Sequence, residues 1–302
     1  MPDQLWRASF TVPGSTPPQA VGALEERALS VSLFAIEDEA STEPVAWRID
    51  LFFGEEPDPA VLRAELAAAF PDPPSDLEVT SVPAQDWLAA SAMQQEPVQV
   101  GRFFIHGPKD RDRLPAGALP IEVEAGLAFG SGEHATTQAC LEAIDRLARV
   151  HRFRRVLDLG CGSGILAMGA ARCWPARLVA ADYDPVAVRV ARENIALNGL
   201  AGRITTVVSD GTRHSLIRRR APYDLVLANI LADPLIELAP ALTRRVAQGG
   251  FVVLSGLLDR QAASVERAYA AVGLRLMTTI ARTPWMGLVF RRPRRSGRAG
   301  TG

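Results

Sequence analysis

Apolar and polar positions alternate at the start of the chain. Across residues 5–12, Trp6, Ala8, Phe10 and Val12 fall on one side, the period of two expected of a half-buried strand. Residues 17–29 are alanine-rich with apolar positions at helical spacing, and two β-branched, aromatic runs follow at 30–36 and 45–53 around an acidic turn. Asp58 stands where a helix N-cap belongs, before Pro59 at the first helical position and the run 60–70. A last strand at 77–82 closes the set. The order β-α-β-β-α-β predicts a small ferredoxin-like α+β domain over residues 1–83, with two helices on one face of an antiparallel sheet.

The pattern then changes. Residues 71–74 form a proline-rich turn, and a short helix at 86–95 lies in a linker spanning 84–97. Strands are expected at 98–105 and 121–123, flanking the charged loop 109–113. From residue 135, helices alternate with short apolar runs at 155–159, 178–181, 204–208, 225–229 and 251–255. Runs that are apolar throughout, separated by helices, predict a parallel sheet covered on both faces. Two more strands, near 274–281 and 287–290, lack a long helix between them and are expected to form an antiparallel edge. The second domain, 98–290, is therefore α/β with a mostly parallel seven-stranded sheet. The tail 291–302 holds five arginines among Gly, Pro and Ser and reads as disordered.

Composition narrows the class. Hydrophobic residues make up 48% of the 302 and charged residues 22%, which excludes disorder as the main state. No apolar run approaches the length of about 18 residues that a membrane span needs. The three cysteines, Cys140, Cys161 and Cys173, lack metal-ligand spacing, and no metal site is expected. A cytoplasmic protein without a membrane partner fits these features. The net charge of −1 conceals an asymmetry, −13 over residues 1–100 and +12 over 101–302. An acidic front segment suits a basic partner better than DNA, although acids that merely solvate a surface explain it equally well. Arginine supplies 32 of the 33 basic residues, and genomic composition accounts for that bias without a function.

The chemistry begins at Val156-Leu157-Asp158-Leu159-Gly160-Cys161-Gly162-Ser163-Gly164, an apolar strand running into a glycine loop. Glycine serves there because the chain turns sharply and its backbone must approach a ligand closely. A dinucleotide fingerprint needs glycine five residues after Gly160, where this chain has Ile165. The G-x-G-x-G spacing is instead that of S-adenosylmethionine (AdoMet) enzymes. The next strand ends at Asp182, whose carboxylate is suited to ribose hydroxyls. Asp158 either holds loop amides, holds the AdoMet amino group, or is purely structural. Asp210, after the third strand, is placed to meet the adenine amino group, and Asp184 reads as a helix cap before Pro185. Asn229 ends the fourth strand, where a carboxamide can accept a hydrogen bond from a substrate N–H. The following Ile230-Leu231-Ala232 has neither proline nor an aromatic ring, which favours a flexible aliphatic amine as acceptor over a planar amide or base.

Together with Gly126-Leu127-Ala128-Phe129-Gly130-Ser131-Gly132-Glu133-His134-Ala135-Thr136-Thr137, Leu254-Ser255-Gly256-Leu257-Leu258 and Asp86-Trp87, these segments resemble the bacterial methyltransferases of large-subunit ribosomal protein eleven, the PrmA family. The resemblance is close over residues 85–290 and topological before them. It implies AdoMet contacts at Thr137, Gly160, Asp182 and Asn229, a mobile loop at 126–132, and a front domain that grips the ribosomal protein substrate. The implied reaction is methylation of lysine or amino-terminal amines, with Asn229 orienting the amine; Gly162 belongs to the cofactor loop by its place in the glycine motif, and nothing in the sequence demands more than a monomer. Other readings are a lysine methyltransferase for a different protein, or an AdoMet-binding module without catalysis. The family often has Thr where this chain has Ser131 and Glu133, and Pro where it has Ala135. Glu133 either lies near the reacting groups or faces solvent, solvent being slightly favoured. For His134, ordering the loop is favoured over acting as a base.

Overall fold

A computed structural model describes residues 4–13, 28, 30–36, 46–70, 72–83, 96–123 and 132–294. The chain divides into two compact units, Met1–Met93 and Gln94–Gly302. The expected helices at 17–29 and 86–95, the loop 124–131 and the end of the tail lie outside the described residues.

In the first unit, β1 (Gln4–Pro13), β2 (Ser30–Ile36), β3 (Ala46–Phe53) and β4 (Glu78–Pro83) form one sheet in the order β2-β3-β1-β4, every neighbour antiparallel. This is the sheet that the ferredoxin-like expectation requires. The period of two holds, with Ala8, Phe10 and Val12 buried together with Ile49, Leu51 and Phe53. Leu62 and Leu66 of α1 (Pro59–Ala69) pack into that core. The Asp58 carboxylate accepts the Ala60 N–H at 2.8 Å and caps α1 as its position in the sequence implied.

The second unit opens with β5 (Val98–Val100), β6 (Phe103–His106), a 3₁₀ turn at Pro108–Arg113 and β7 (Leu119–Glu122). The single strand expected over 98–105 is in fact a hairpin. Gly101 takes φ +57° and reverses the chain there, so the Gly101-Arg102 pair divides two short apolar stretches. β7 then pairs with β6 in parallel.

The remaining elements are α2 (Ala135–Val150), β8 (Arg155–Leu159), α3 (Ile165–Cys173), β9 (Arg177–Asp182), α4 (Pro185–Leu197), β10 (Ile204–Val208), α5 (Ser215–Arg220), β11 (Tyr223–Asn229), α6 (Ala232–Thr243), β12 (Val246–Leu258), α7 (Asp259–Ala271), β13 (Arg275–Arg282) and β14 (Trp285–Arg291). Their sheet runs β10-β9-β8-β11-β12-β14-β13. Five consecutive members, from β10 to β12, are parallel. β14 is antiparallel to both of its neighbours, so the reversed strand lies one place in from the edge and β13 is outermost. The crossover through α7 carries β13 past a vacant position, and the short β13–β14 connection returns the chain to fill it.

Alternate residues of the parallel strands serve two cores. Val156, Leu178, Leu225 and Leu227 face α2, α3 and the three-stranded sheet, while Leu157, Val179, Val226 and Val252 face α6 and α7. The parallel arrangement also brings the ends of β8, β9 and β11 to one edge. The strand order reverses there between β8 and β11, the position where open α/β sheets bind ligands.

Asn198, just past α4, joins the small sheet to this core. Its side-chain amide donates to Glu122 O at 2.7 Å and Asn194 O at 2.8 Å, and its carbonyl accepts the Glu122 N–H at 3.0 Å. Asn194 in turn donates to Ser163 O, inside the glycine loop, at 3.1 Å. Asn198→Ala is expected to destabilise the protein by about 2 kcal/mol, since it leaves the Glu122 N–H and C=O without their side-chain partner. A lower urea midpoint with an unchanged slope checks this.

Candidate active site

The glycine loop is held open by the end of β9. Gly160 and Cys161 donate their N–H groups to Ala181 O at 2.8 and 3.1 Å, and Gly162 donates to Asp182 Oδ2 at 2.9 Å. Gly160, Gly162 and Gly164 all have positive φ, +66°, +50° and +82°. At Gly160 a Cβ would stand 2.2 Å from Ile230 Cγ2, so the residue after Asn229 closes against the loop and only glycine leaves room.

Asp182 is buried, and its other oxygen accepts the Asp184 N–H at 3.1 Å. Asp184 accepts from Val186 N–H at 2.8 Å and caps α4, with Pro185 in the first turn as the sequence indicated. Asp158 lies fully buried below the loop. Its Oδ2 accepts the Ala167 N–H of α3 at 2.9 Å, so it anchors that helix's first turn and takes no loop amide, while its Oδ1 has no partner among the described residues. Burial pushes the carboxyl up to about 7, the nearby Asp182 charge adds to the rise, and the Ala167 hydrogen bond opposes it.

Thr137 and Asn229, 92 positions apart, meet across the site. The Asn229 amide lies 3.4 Å from the Thr137 hydroxyl, a long contact, and the buried Asn229 carbonyl oxygen has no partner among the described residues. Thr137 is fully buried in the first turn of α2. That turn is capped by His134, whose Nδ1 accepts the Thr136 N–H at 3.3 Å and lies 2.7 Å from the Thr136 hydroxyl. The His134 ring packs edge-on against Trp285 with centroids 4.9 Å apart, and burial lowers its pKa. The ring thus caps α2, and the loop it was expected to order lies outside the described residues. Trp285 was not anticipated from the sequence: it lies 151 positions from His134, and no local pattern marks it. Glu133 is exposed, as the solvent reading expected.

Asp210 is not drawn into this group. It lies one residue beyond Ser209, whose N–H donates to Asp182 O at 2.7 Å, but its side chain is 71% exposed and pairs with Arg213. Ser131 and residues 126–130 lie outside the described residues. Among the described residues no cluster of three or more His, Cys, Asp or Glu is placed to hold a metal ion.

A family model described as ribosomal protein L11 methyltransferase (PrmA) matches residues 19–293. The chain belongs to this family. A ribosomal protein L11 methyltransferase of Brucella suis is 40% identical over 273 residues, covering 90% of this chain and 88% of that protein. One from Chelativorans sp. is 45% identical over 218 residues, 72% of this chain and 75% of its own length. The crystal structure of a ribosomal protein L11 methylase from Lactobacillus delbrueckii subsp. bulgaricus superposes with a TM-score of 0.59 at 30% identity, covering 66% of this chain and all of that one. Among the described residues no helix is long and apolar enough to cross a membrane.

The raised Asp158 carboxyl has a thermodynamic consequence. A carboxyl that binds its proton more tightly folded than unfolded adds stability that is complete below the ordinary value of 3.8 and is lost as the pH rises through about 7. Asp158→Asn is expected to flatten the decline in stability across that interval, measured as urea midpoints at a series of pH values. A slope equal to the parent's would remove the assignment.

Proposed function

We propose that this chain transfers methyl groups from AdoMet to lysine or amino-terminal amines of ribosomal protein L11. The observation that carries this reading is the unpartnered, buried Asn229 carbonyl beside Thr137, at the edge where the glycine loop opens. A buried acceptor without a donor is costly, and an incoming amine N–H supplies one.

The donor fits the residues present. The positive-φ glycines clear Cβ atoms from the loop, Asp182 has lone pairs beyond those used by two N–H groups, and Thr137 and Asn229 stand across from it. Gly160, Gly162, Asp182, Thr137 and Asn229 would hold AdoMet, with Asp210 swinging from Arg213 to the adenine amino group. When bound, AdoMet supplies a methyl group already activated by its sulfonium.

The chain's remaining task is alignment. A lysine amine has a reference pKa near 10.4, so only about one in a thousand or fewer is neutral at pH 7. Desolvation against the Ile230 and Leu231 segment favours the neutral form that can attack. Asn229 accepts one amine N–H and thereby aims the nitrogen lone pair at the methyl carbon, which supplies most of what an in-line displacement requires. No side-chain base is needed, since His134 is occupied as a helix cap and water can take the proton. The acidic first unit selects the basic ribosomal protein. The reaction belongs in the cytoplasm and needs neither DNA nor a membrane, and one chain carries every residue named.

Incubation of purified protein with labelled AdoMet and L11, read by intact mass, is expected to give increments of whole methyl groups. No increment in a preparation that binds AdoMet would overturn the substrate. Asn229→Ala is expected to lower turnover by about a hundredfold with the fold intact. Asp182→Ala is expected to weaken AdoMet binding by roughly tenfold or more in calorimetry. Unchanged values in the respective assays would reject the two roles.

A further inference from the structure

Four arginines converge at the other end of the sheet. Arg155 opens β8, Arg177 opens β9, and the two are register partners on adjacent strands. With Arg154, Arg220, Pro175 and Tyr223 they line an open cleft of about 530 Å³. The length of β8, roughly 15 Å at strand rise, separates this cleft from the glycine loop, so it is no part of the methyl-transfer site.

Among the described residues the cleft arginines form no ion pair. Several arginines elsewhere are matched to acids, as in Arg102–Asp145 at 2.6 Å and Arg282–Glu142 at 2.8 Å. Arg154, Arg155 and Arg177 are exposed, and among the described residues none of them has a carboxylate within ion-pair distance. Asp224, at this edge, spends Oδ2 on the backbone N–H groups of Arg154 and Arg155, at 2.8 and 2.9 Å. Arg220 is fixed by Leu178 O at 3.4 Å and Thr205 Oγ1 at 3.1 Å, which presents it to the cleft in one place. Tyr223 forms the wall: its buried hydroxyl donates to Ile217 O at 3.1 Å, so the ring offers no face for stacking.

We propose that this arginine cleft binds the phosphodiester backbone of RNA. The backbones of β8 and β9 run about 4.8 Å apart, so Arg155 and Arg177 stand side by side, and with Arg154 and Arg220 they offer more cationic groups than one small anion needs. Arginine forks match phosphate oxygens bidentately. With no aromatic face and no acceptor-rich floor, recognition is of the backbone and independent of base sequence. The proposal is separate from the methyl-transfer reading, because its assay needs neither AdoMet nor a methyl acceptor.

The test is fluorescence anisotropy of the full chain with a labelled 20-nucleotide single-stranded RNA, titrated at several salt concentrations. Binding is expected to be indifferent to base sequence, with a log–log salt slope of about −2 to −3 for three to four phosphates. Arg155→Glu with Arg177→Glu is expected to weaken binding at least tenfold, with AdoMet affinity and Tm unchanged. Arg155→Gln with Arg177→Gln gives a smaller loss in the same direction should charge reversal impair folding. Arg275→Glu, on the far edge strand, is the control and leaves binding within twofold. The proposal is overturned if RNA does not bind, if both cleft variants bind like the parent, or if a chain ending at Arg294 loses binding while the cleft variants keep it. Displacement of the RNA by inorganic phosphate at equal ionic strength would overturn it too, since that marks a small-anion site.

Discussion

The site depends on how the end of β9 holds the turn after β8. Ala181 O takes two N–H groups of the glycine loop and the Asp182 carboxylate takes a third, so a segment of three left-handed glycines has a defined shape. A loop of that composition has much conformational entropy to lose, and these acceptors, fixed in a buried parallel sheet, are what offset the loss. Ile230 then closes against Gly160 at a distance that no side chain tolerates. The position of Asn229 is in this way tied to the shape of the loop.

Below the loop, the protein accepts a local instability. Asp158 is a carboxyl fully enclosed in the sheet, with one oxygen on the Ala167 N–H and the other unpaired. Burial of such a group is unfavourable unless it is protonated or fully bonded, hence its raised pKa. The gain is an anchored first turn for α3, the helix that follows directly from the glycines. Fixing helix and loop together keeps the cradle rigid, and a displacement is accelerated by alignment more than by any single chemical group.

The opposite wall is built from distant parts of the chain. Thr137 reaches Asn229 from the first turn of α2, which His134 caps and Trp285 covers. On the far side, Asn198 and Asn194 connect β7 to Ser163 of the loop. The two edges of the sheet thus differ in character. The carboxyl edge is densely hydrogen-bonded, whereas the amino edge presents Arg154, Arg155 and Arg177, which form no ion pair among the described residues.

Much of the architecture was legible from local signals. The period of two in β1, the Asp58 and Asp184 caps before proline, and the apolar runs of the parallel strands are properties of neighbouring residues. The glycine spacing and the acid ending β9 belong to the same kind, because backbone conformation is set within a few residues. The hairpin at Gly101 was marked only by a single Gly-Arg pair inside a strand-like run, and the inward place of β14 was not legible, since strand order is decided by crossovers. Which oxygen of Asp158 is left bare, which residue covers His134, and that Arg155 and Arg177 stand side by side all depend on contacts between residues far apart in the chain. Local sequence determines the conformation of each segment. Only packing of the whole sheet decides which side chains become neighbours, and therefore which charges and polar atoms are left without a partner.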